Sequence, residues 1–283
     1  MKRLQAYWEL AKPRLIFLVI LSAMAGFYLA GRPGVETPAL WSALLGISLV
    51  SAGSMVLNQW LEREADAKMV RTQARPLPQK QVTPLEAFAL GLILSAAGLW
   101  ILTAGGHVAA AILAGVTLAL YIVVYTPLKK ATTVCTLIGA IPGALPTLTG
   151  WAAVEWPLGG RAWILFLILF LWQMPHFYAI SWLWRDDYIR AGFRILSVDD
   201  SKGSRVARHI FIYVLALIPV SLLPVWIGMA GWIYGAGVLA LGFYFLWKAV
   251  QALGDINRYA RPVFRASIIY LSALLILLML DKQ

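Results

Sequence analysis

Asn58, Glu62 and Asp66 stand at i, i+4 and i+8 in the stretch VLNQWLEREADAKMVRTQARPLPQ, residues 56–79. On a helix that spacing drifts only about 80°, so three oxygen-bearing side chains share one face over roughly 12 Å. Hard divalent cations take oxygen ligands, and Mg²⁺ commonly uses one or two carboxylates together with phosphate oxygens of a substrate. Arg71, Arg75 and Lys80 follow, and their donors suit the far oxygens of a phosphate. Acids for a metal followed by bases for phosphate is the composition of a diphosphate site. The plainer reading is a solvated, charge-balanced helix end in which Glu62 pairs with a neighbouring base. Carboxylates at the mouth of a membrane helix favour the functional reading. As an open mouth, this site should contribute little to packing.

A second charged mouth closes the segment LWQMPHFYAISWLWRDDYIRAGFRILS, residues 171–197. Pro175 should kink the helix. His176 follows among Trp172, Phe177, Tyr178, Trp182 and Trp184, and Gln173 lies three residues before it on the same face. Polar side chains at that depth normally face a bundle interior. A kinked helix lined with flat rings and a histidine suits a large, flat, apolar substrate. The alternative is a satisfied core histidine beside ordinary interfacial aromatics. Asp186 and Asp187 could supply a second metal site facing the first. Arg185, Arg190, Arg194, Lys202 and Arg205 could bind anions there. His107 reads as an outer-loop residue and His209 as a helix end; neither joins a cluster.

These residues need helices embedded in lipid. Of the 283 residues, 61% are hydrophobic and 13% charged, with mean hydropathy +0.76. Soluble domains carry about 25% charged residues, so this chain lacks the polar surface to cover a globule in water. Nine apolar stretches approach the roughly 20 residues that a span requires: 15–31, 40–60, 84–105, 107–127, 133–154, 162–184, 208–228, 230–250 and 264–281. Backbone groups in lipid must bond internally, which makes them helices. The expected fold is all-α and integral to the membrane, a single domain over 1–283.

The net charge of +11 would suit nucleic acid on a soluble protein, but 21 of the 24 Lys and Arg fall at the N-terminus or in 61–83, 129–130, 185–208 and 248–265. That clustering is a topology signal and no nucleic-acid motif accompanies it. The positive-inside rule puts the N-terminus in the cytoplasm, and nine spans would put the C-terminus outside. The outer connections GRPGVETPA (31–39) and EWPLGGRA (155–162) are short and rich in turn residues, whereas both long loops are cytoplasmic. One cysteine, Cys135, excludes an intramolecular disulfide and a cysteine metal cluster. The stretch MKRLQAYWELAKPR is expected to be neither a cleavable signal nor an organellar leader, and a bacterial inner membrane is the expected location.

With both mouths read, the chain resembles the UbiA superfamily of intramembrane prenyltransferases, and within it the haem-modifying branch. The resemblance runs from LAKPR (10–14) to the last span. It rests on NQWLEREAD followed by MVRTQARPL, on YTPLKKAT (125–132), on GALPTLTGWAAV (143–154) and on WQMPHFYAISW with DDYIRAGFRIL (172–196). The superfamily's first motif, N-x3-D-x3-D, here reads Asn58, Glu62 and Asp66, with Glu62 where the motif has Asp, a variant that resembles the haem-modifying branch. Its second, D-x3-D, is not: aligned on Gly192, Trp184 and Tyr188 stand where the acids are expected, with Asp186 and Asp187 nearby.

The resemblance implies nine transmembrane helices around a central cavity opening at the cytoplasmic side. It implies farnesyl diphosphate and haem b as substrates and Mg²⁺ as cofactor. Asn58, Glu62 and Asp66 would be catalytic and would hold metal with Asp186 and Asp187. The diphosphate would lie on Arg71, Arg75, Lys129, Lys130, Arg194 and Lys202. Trp172, Gln173, His176, Phe177 and Tyr178 would line the haem and prenyl pocket, with His176 touching the iron or moving a proton. Haem A synthase or terminal-oxidase assembly proteins would be its protein partners. Two rivals stay open: a related enzyme with a quinone precursor or chlorophyllide as acceptor, and a transporter or haem-assembly factor without catalysis.

Overall fold

A computed structural model of the chain describes residues 2–31 and 37–283, so residues 32–36 of the first outer connection, Arg32 among them, lie outside the described residues. Its helices in chain order are α1 (Lys2–Ala11), α2 (Pro13–Ala30), α3 (Thr37–Asp66), α4 (Pro84–Ala104), α5 (Val108–Ala119), α6 (Thr126–Leu128), α7 (Cys135–Ala152), α8 (Gly160–Leu183), α9 (Arg185–Arg190), α10 (Leu196–Asp199), α11 (Ser204–Trp226), α12 (Trp232–Gly254) and α13 (Ile256–Leu280). A π-helical segment, Leu120–Tyr125, joins α5 to α6.

Among the described residues, eight helices are long and apolar enough to cross a membrane: Arg3–Ala30, Pro38–Asp66, Pro84–Ala104, Val108–Leu128, Gly160–Leu183, Ser204–Trp226, Trp232–Gly254 and Ile256–Leu280. Their outer faces are apolar: Trp100 is 69% exposed, and Val123 and Ile233 are 71% exposed. Rings and branched chains presented outward on this scale require lipid as the solvent. The chain is a multi-pass membrane protein.

The remaining expected span, 133–154, is the 18-residue α7, which is not among those eight. Every residue from Ala144 to Ala152 is buried, and α7 packs on α2, α5 and α8. A helix whose second half is enclosed by protein can carry Pro146, Thr147 and Thr149 there, and the threonine hydroxyls find partners inside the bundle. Thr147 and Thr149 donate back to the carbonyls of Ala144 and Leu145. Small residues allow the close approach. A Cβ on Gly150 would lie 1.9 Å from the Ala23 carbonyl oxygen of α2, and one on Gly26 would lie 2.0 Å from that of Thr147.

Several boundaries differ from the sequence expectation. The first apolar stretch is preceded by α1, set off from α2 at Lys12, whose φ is 52°. Pro13 explains the break, because the residue before a proline is disfavoured in the α conformation. The span expected at 40–60 continues to Asp66 as a 30-residue helix. At 1.5 Å per residue that is about 45 Å, against a hydrocarbon core of roughly 30 Å. The surplus turns carry the acids.

Candidate active site

The last turns of α3 place Asn58, Glu62 and Asp66 on one line, as their spacing predicts, but the mouth is not open. They are only 2%, 7% and 1% exposed. The expectation of an open site with little packing role is corrected here: the helix mouth is covered by the loops that carry the bases.

Each member of the line has a specific partner. Asn58 donates its Nδ2 to Thr126 Oγ1 at 3.1 Å, and Thr126 donates its own hydrogen to the Tyr121 carbonyl at 2.7 Å. The hydroxyl has one hydrogen, so towards Asn58 it accepts. That polarity orients the amide and leaves Asn58 Oδ1 as the atom available to the site. The π-helical segment creates this contact, because its wider turn sets Thr126 above Tyr121. Single π turns recur at functional sites.

Glu62 accepts from Lys129 Nζ at 2.8 Å. Lys129 Nζ also lies 4.6 Å from the Tyr125 ring centre and 5.9 Å from that of Phe193. Burial works against the ammonium charge, but the Glu62 carboxylate and the tyrosines beside it outweigh burial and raise the Lys129 pKa well above its ordinary value. Asp66 receives both its bonds from Arg75, whose Nη1 is 2.8 Å from Oδ1 and 2.7 Å from Oδ2. Two acid–base pairs thus form at this mouth, Glu62 with Lys129 and Asp66 with Arg75.

Asp187 does a different job. Its Oδ1 accepts the backbone N–H of Val70 at 3.0 Å and its Oδ2 that of Arg71 at 3.1 Å, and Arg190 donates to Oδ1 as well. Burial disfavours its charge, yet the N–H groups of Arg71 and Val70 and the Arg190 guanidinium together hold its pKa below the usual carboxylate value. Asp187 therefore ties the loop after α3 to α9. The same loop carries Arg71, whose guanidinium lies over Trp184 at 5.7 Å. Asp186 is exposed. It lines a cavity of about 680 Å³ with Trp182, Trp184, Arg185, Arg190 and Lys202. The wall of that cavity contains none of Asn58, Glu62 or Asp66. Lys130 and Arg194 are exposed side chains, and the Arg194 backbone N–H donates to the Lys129 carbonyl at 2.7 Å.

The aromatic mouth divides between neighbours. His176 faces α13: its Nδ1 lies 2.8 Å from Ser267 Oγ, and its ring lies 5.0 Å from those of Trp172 and Phe264. Trp172 donates its Nε1 to the Ser267 carbonyl at 2.6 Å, and Phe177 packs edge-on to His176 at 5.8 Å. Gln173 turns to α7, donating to the Leu169 carbonyl at 3.1 Å and the Ala140 carbonyl at 3.4 Å. Tyr178 turns to α11, against Tyr213 and His209. The five residues grouped by sequence do not line one wall. His107 is no loop bystander: its ring bridges Ser42 Oγ and the Ala153 carbonyl, each at 3.0 Å.

Sequence reading missed Thr126, Ser267 and the Val70 and Arg71 amides. Ser267 carried little signal, because Tyr270 and Ser272 place further hydroxyls in the same apolar run of α13, and backbone amides leave no signal at all.

Fold and site together define an intramembrane enzyme that gathers paired acids and bases at one mouth of a helical bundle. A UbiA prenyltransferase family model matches residues 19–274. The chain is 42% identical to a protein of Solibacter usitatus named protoheme IX farnesyltransferase, covering 98% of both chains. It is 41% identical to one of the same name from Opitutus terrae, covering 98% of this chain and 94% of that one. Among solved structures it resembles that of a digeranylgeranylglyceryl phosphate synthase in membranes, with a TM-score of 0.82, 18% identity and 99% of each chain covered. It also resembles a UbiA homologue from Archaeoglobus fulgidus bound to GPP and Mg²⁺, with a TM-score of 0.65, 12% identity, and 96% of this chain and 99% of that one covered. The chain belongs to the UbiA prenyltransferase family.

Proposed function

We propose that the protein transfers the farnesyl group of farnesyl diphosphate to a vinyl group of haem b, with addition of water, giving haem O and diphosphate. The observation that carries this reading is the line of Asn58, Glu62 and Asp66 on α3 with Lys129 and Arg75 already docked on its two carboxylates. Such a line holds a highly charged head group and leaves the apolar tail among helices. The near-full-length likeness to proteins named protoheme IX farnesyltransferase supports haem as the acceptor.

Asn58 Oδ1, Glu62 and Asp66 are hard oxygen donors, and they fit Mg²⁺. Among the described residues no three of His, Cys, Asp and Glu gather closely enough to hold a metal by themselves. Mg²⁺ is commonly held in this way, by few carboxylates with substrate phosphates completing the shell. When bound, the ion would neutralise charge developing on the leaving diphosphate.

The chain's own groups do the rest. Arg71, Arg75 and Lys129 bind the diphosphate and stabilise it as the bond from farnesyl C1 to oxygen breaks. The aromatic rings near the mouth exclude water and present π faces to the allylic cation. The terminal vinyl carbon bonds to C1. The carbon next to the porphyrin then takes the oxygen of water, and a proton is released.

In this reading α7 is the ninth span, and the clustered Lys and Arg support a cytoplasmic N-terminus with the C-terminus outside a bacterial inner membrane. The test is incubation of purified protein with haem b, farnesyl diphosphate and Mg²⁺, followed by mass spectrometry of the haem. The expected product carries one farnesyl group and one water. Prenylation only of a quinone precursor or chlorophyllide would replace the acceptor, and no diphosphate release would remove the enzyme reading.

A further inference from the structure

His176 has a defined hydrogen-bond polarity. Ser267 Oγ lies 2.7 Å from the Phe264 carbonyl oxygen, three residues back on α13. A carbonyl only accepts, so the single hydroxyl hydrogen is committed there. Towards His176 Nδ1, 2.8 Å away, Ser267 Oγ is then the acceptor. Nδ1 must carry the ring proton. A neutral imidazole protonated at Nδ1 keeps its lone pair on Nε2.

Two further contacts fix the ring plane. Trp172, one turn before His176, stacks on it at 28°, and Phe264 lies on it at 37°. Trp172 is itself held by its bond to the Ser267 carbonyl. Ser267 thus organises both α8 rings, one through its hydroxyl and one through its backbone. Nε2 meets no donor or acceptor among the described residues, and the ring is half-buried rather than sealed. His176 lies seven residues before the end of α8 and Asn58 eight before the end of α3, so both sit roughly 10–12 Å inside their helix mouths.

We propose that Ser267 is a positioning residue: its hydroxyl fixes His176 as the Nδ1–H tautomer and so presents the Nε2 lone pair to the iron of the haem acceptor. This rests on the haem reading above. A hydrogen bond from the far ring nitrogen raises the basicity of a metal-bound imidazole and sets its orientation, and losing such a partner typically lowers metal affinity on the order of 10–100-fold.

The test uses the full-length protein in detergent with ferrous haem b alone, read by absorption titration and by the resonance Raman iron–histidine stretch. Wild type should bind haem and show that stretch. His176→Ala should lose it, and added imidazole should restore a nitrogen-ligated spectrum. Ser267→Ala keeps the histidine and the backbone carbonyl that Trp172 uses. It should bind haem on the order of 10–100-fold more weakly, with the iron–histidine stretch shifted to lower frequency. An unchanged stretch and affinity in Ser267→Ala, with the stretch lost in His176→Ala, would overturn the positioning role and leave the haem reading intact. A wild type that binds no haem, or a His176→Ala spectrum identical to wild type, would overturn the iron contact itself.

Discussion

One guanidinium nitrogen of Arg75 reaches both carboxylate oxygens of Asp66, at 2.7 and 2.8 Å, across nine residues of sequence. Asp66 is 1% exposed, so this bond is what keeps a buried carboxylate satisfied. The pair closes the loop after α3 over the end of that helix. On the proposed reading, a group for phosphate and a group for metal are stored against each other.

Asp66→Asn should lower farnesyl transfer on the order of 10²–10³-fold, the scale expected when one preorganised electrostatic group is lost. Asp66→Ala should add a stability cost of about 1–3 kcal/mol, because Arg75 loses its partner at a buried site. Thermal unfolding in detergent together with initial rates checks both. Wild-type rates in Asp66→Asn would remove this residue from the metal site.

Glu62 and Lys129 should behave as one unit. Glu62→Gln and Lys129→Met each leave the other partner unmatched, so their stability effects should be non-additive by about 0.5–3 kcal/mol. A double-mutant cycle on unfolding midpoints measures this. Strict additivity would show that the 2.8 Å contact does not couple them.

Arg71→Ala should leave membrane insertion intact, since Lys68, Arg75 and Lys80 remain in the same loop and Arg63 in the last turn of α3. The expected change is a higher apparent KM for farnesyl diphosphate, by about tenfold for each 1.4 kcal/mol of lost binding. Normal saturation with substrate would return Arg71 to a purely topological role.

Asp187 should make closure of the 66–83 loop depend on pH. Its pKa in the folded protein is depressed below the unfolded value of about 4. Its contribution is therefore fully present above the unfolded value and is lost as pH falls through the folded one. Protection of the Val70 and Arg71 amides, corrected for intrinsic exchange rates, should drop in that acid range. Asp187→Asn should show reduced protection at neutral pH. Equal protection in variant and wild type would show that the loop is held by other contacts.

The topology has its own test. A C-terminal reporter should be active outside and silent in the cytoplasm if α7 counts as a span. The opposite result would leave eight crossings, with α7 an enclosed helix.

The amino-acid sequence alone determined the solvent of this protein and the line of its first site. Composition decides lipid over water because apolar surface cannot be hidden in a chain with 13% charged residues. Helical periodicity decides that Asn58, Glu62 and Asp66 share a face, because i, i+4 geometry is local. The tertiary structure alone decided which base meets which acid, that the mouth is buried, and that Asp187 grips the amides of Val70 and Arg71. It also decided that Tyr178 and Gln173 leave the side of His176, and that Ser267, 91 positions away, hydrogen-bonds its ring. Apart from the Asp66–Arg75 pair, these are contacts between elements far apart in the chain. Their partners are fixed by helix packing and loop closure, and a hydroxyl or a backbone amide carries no mark in the sequence of the group it will meet.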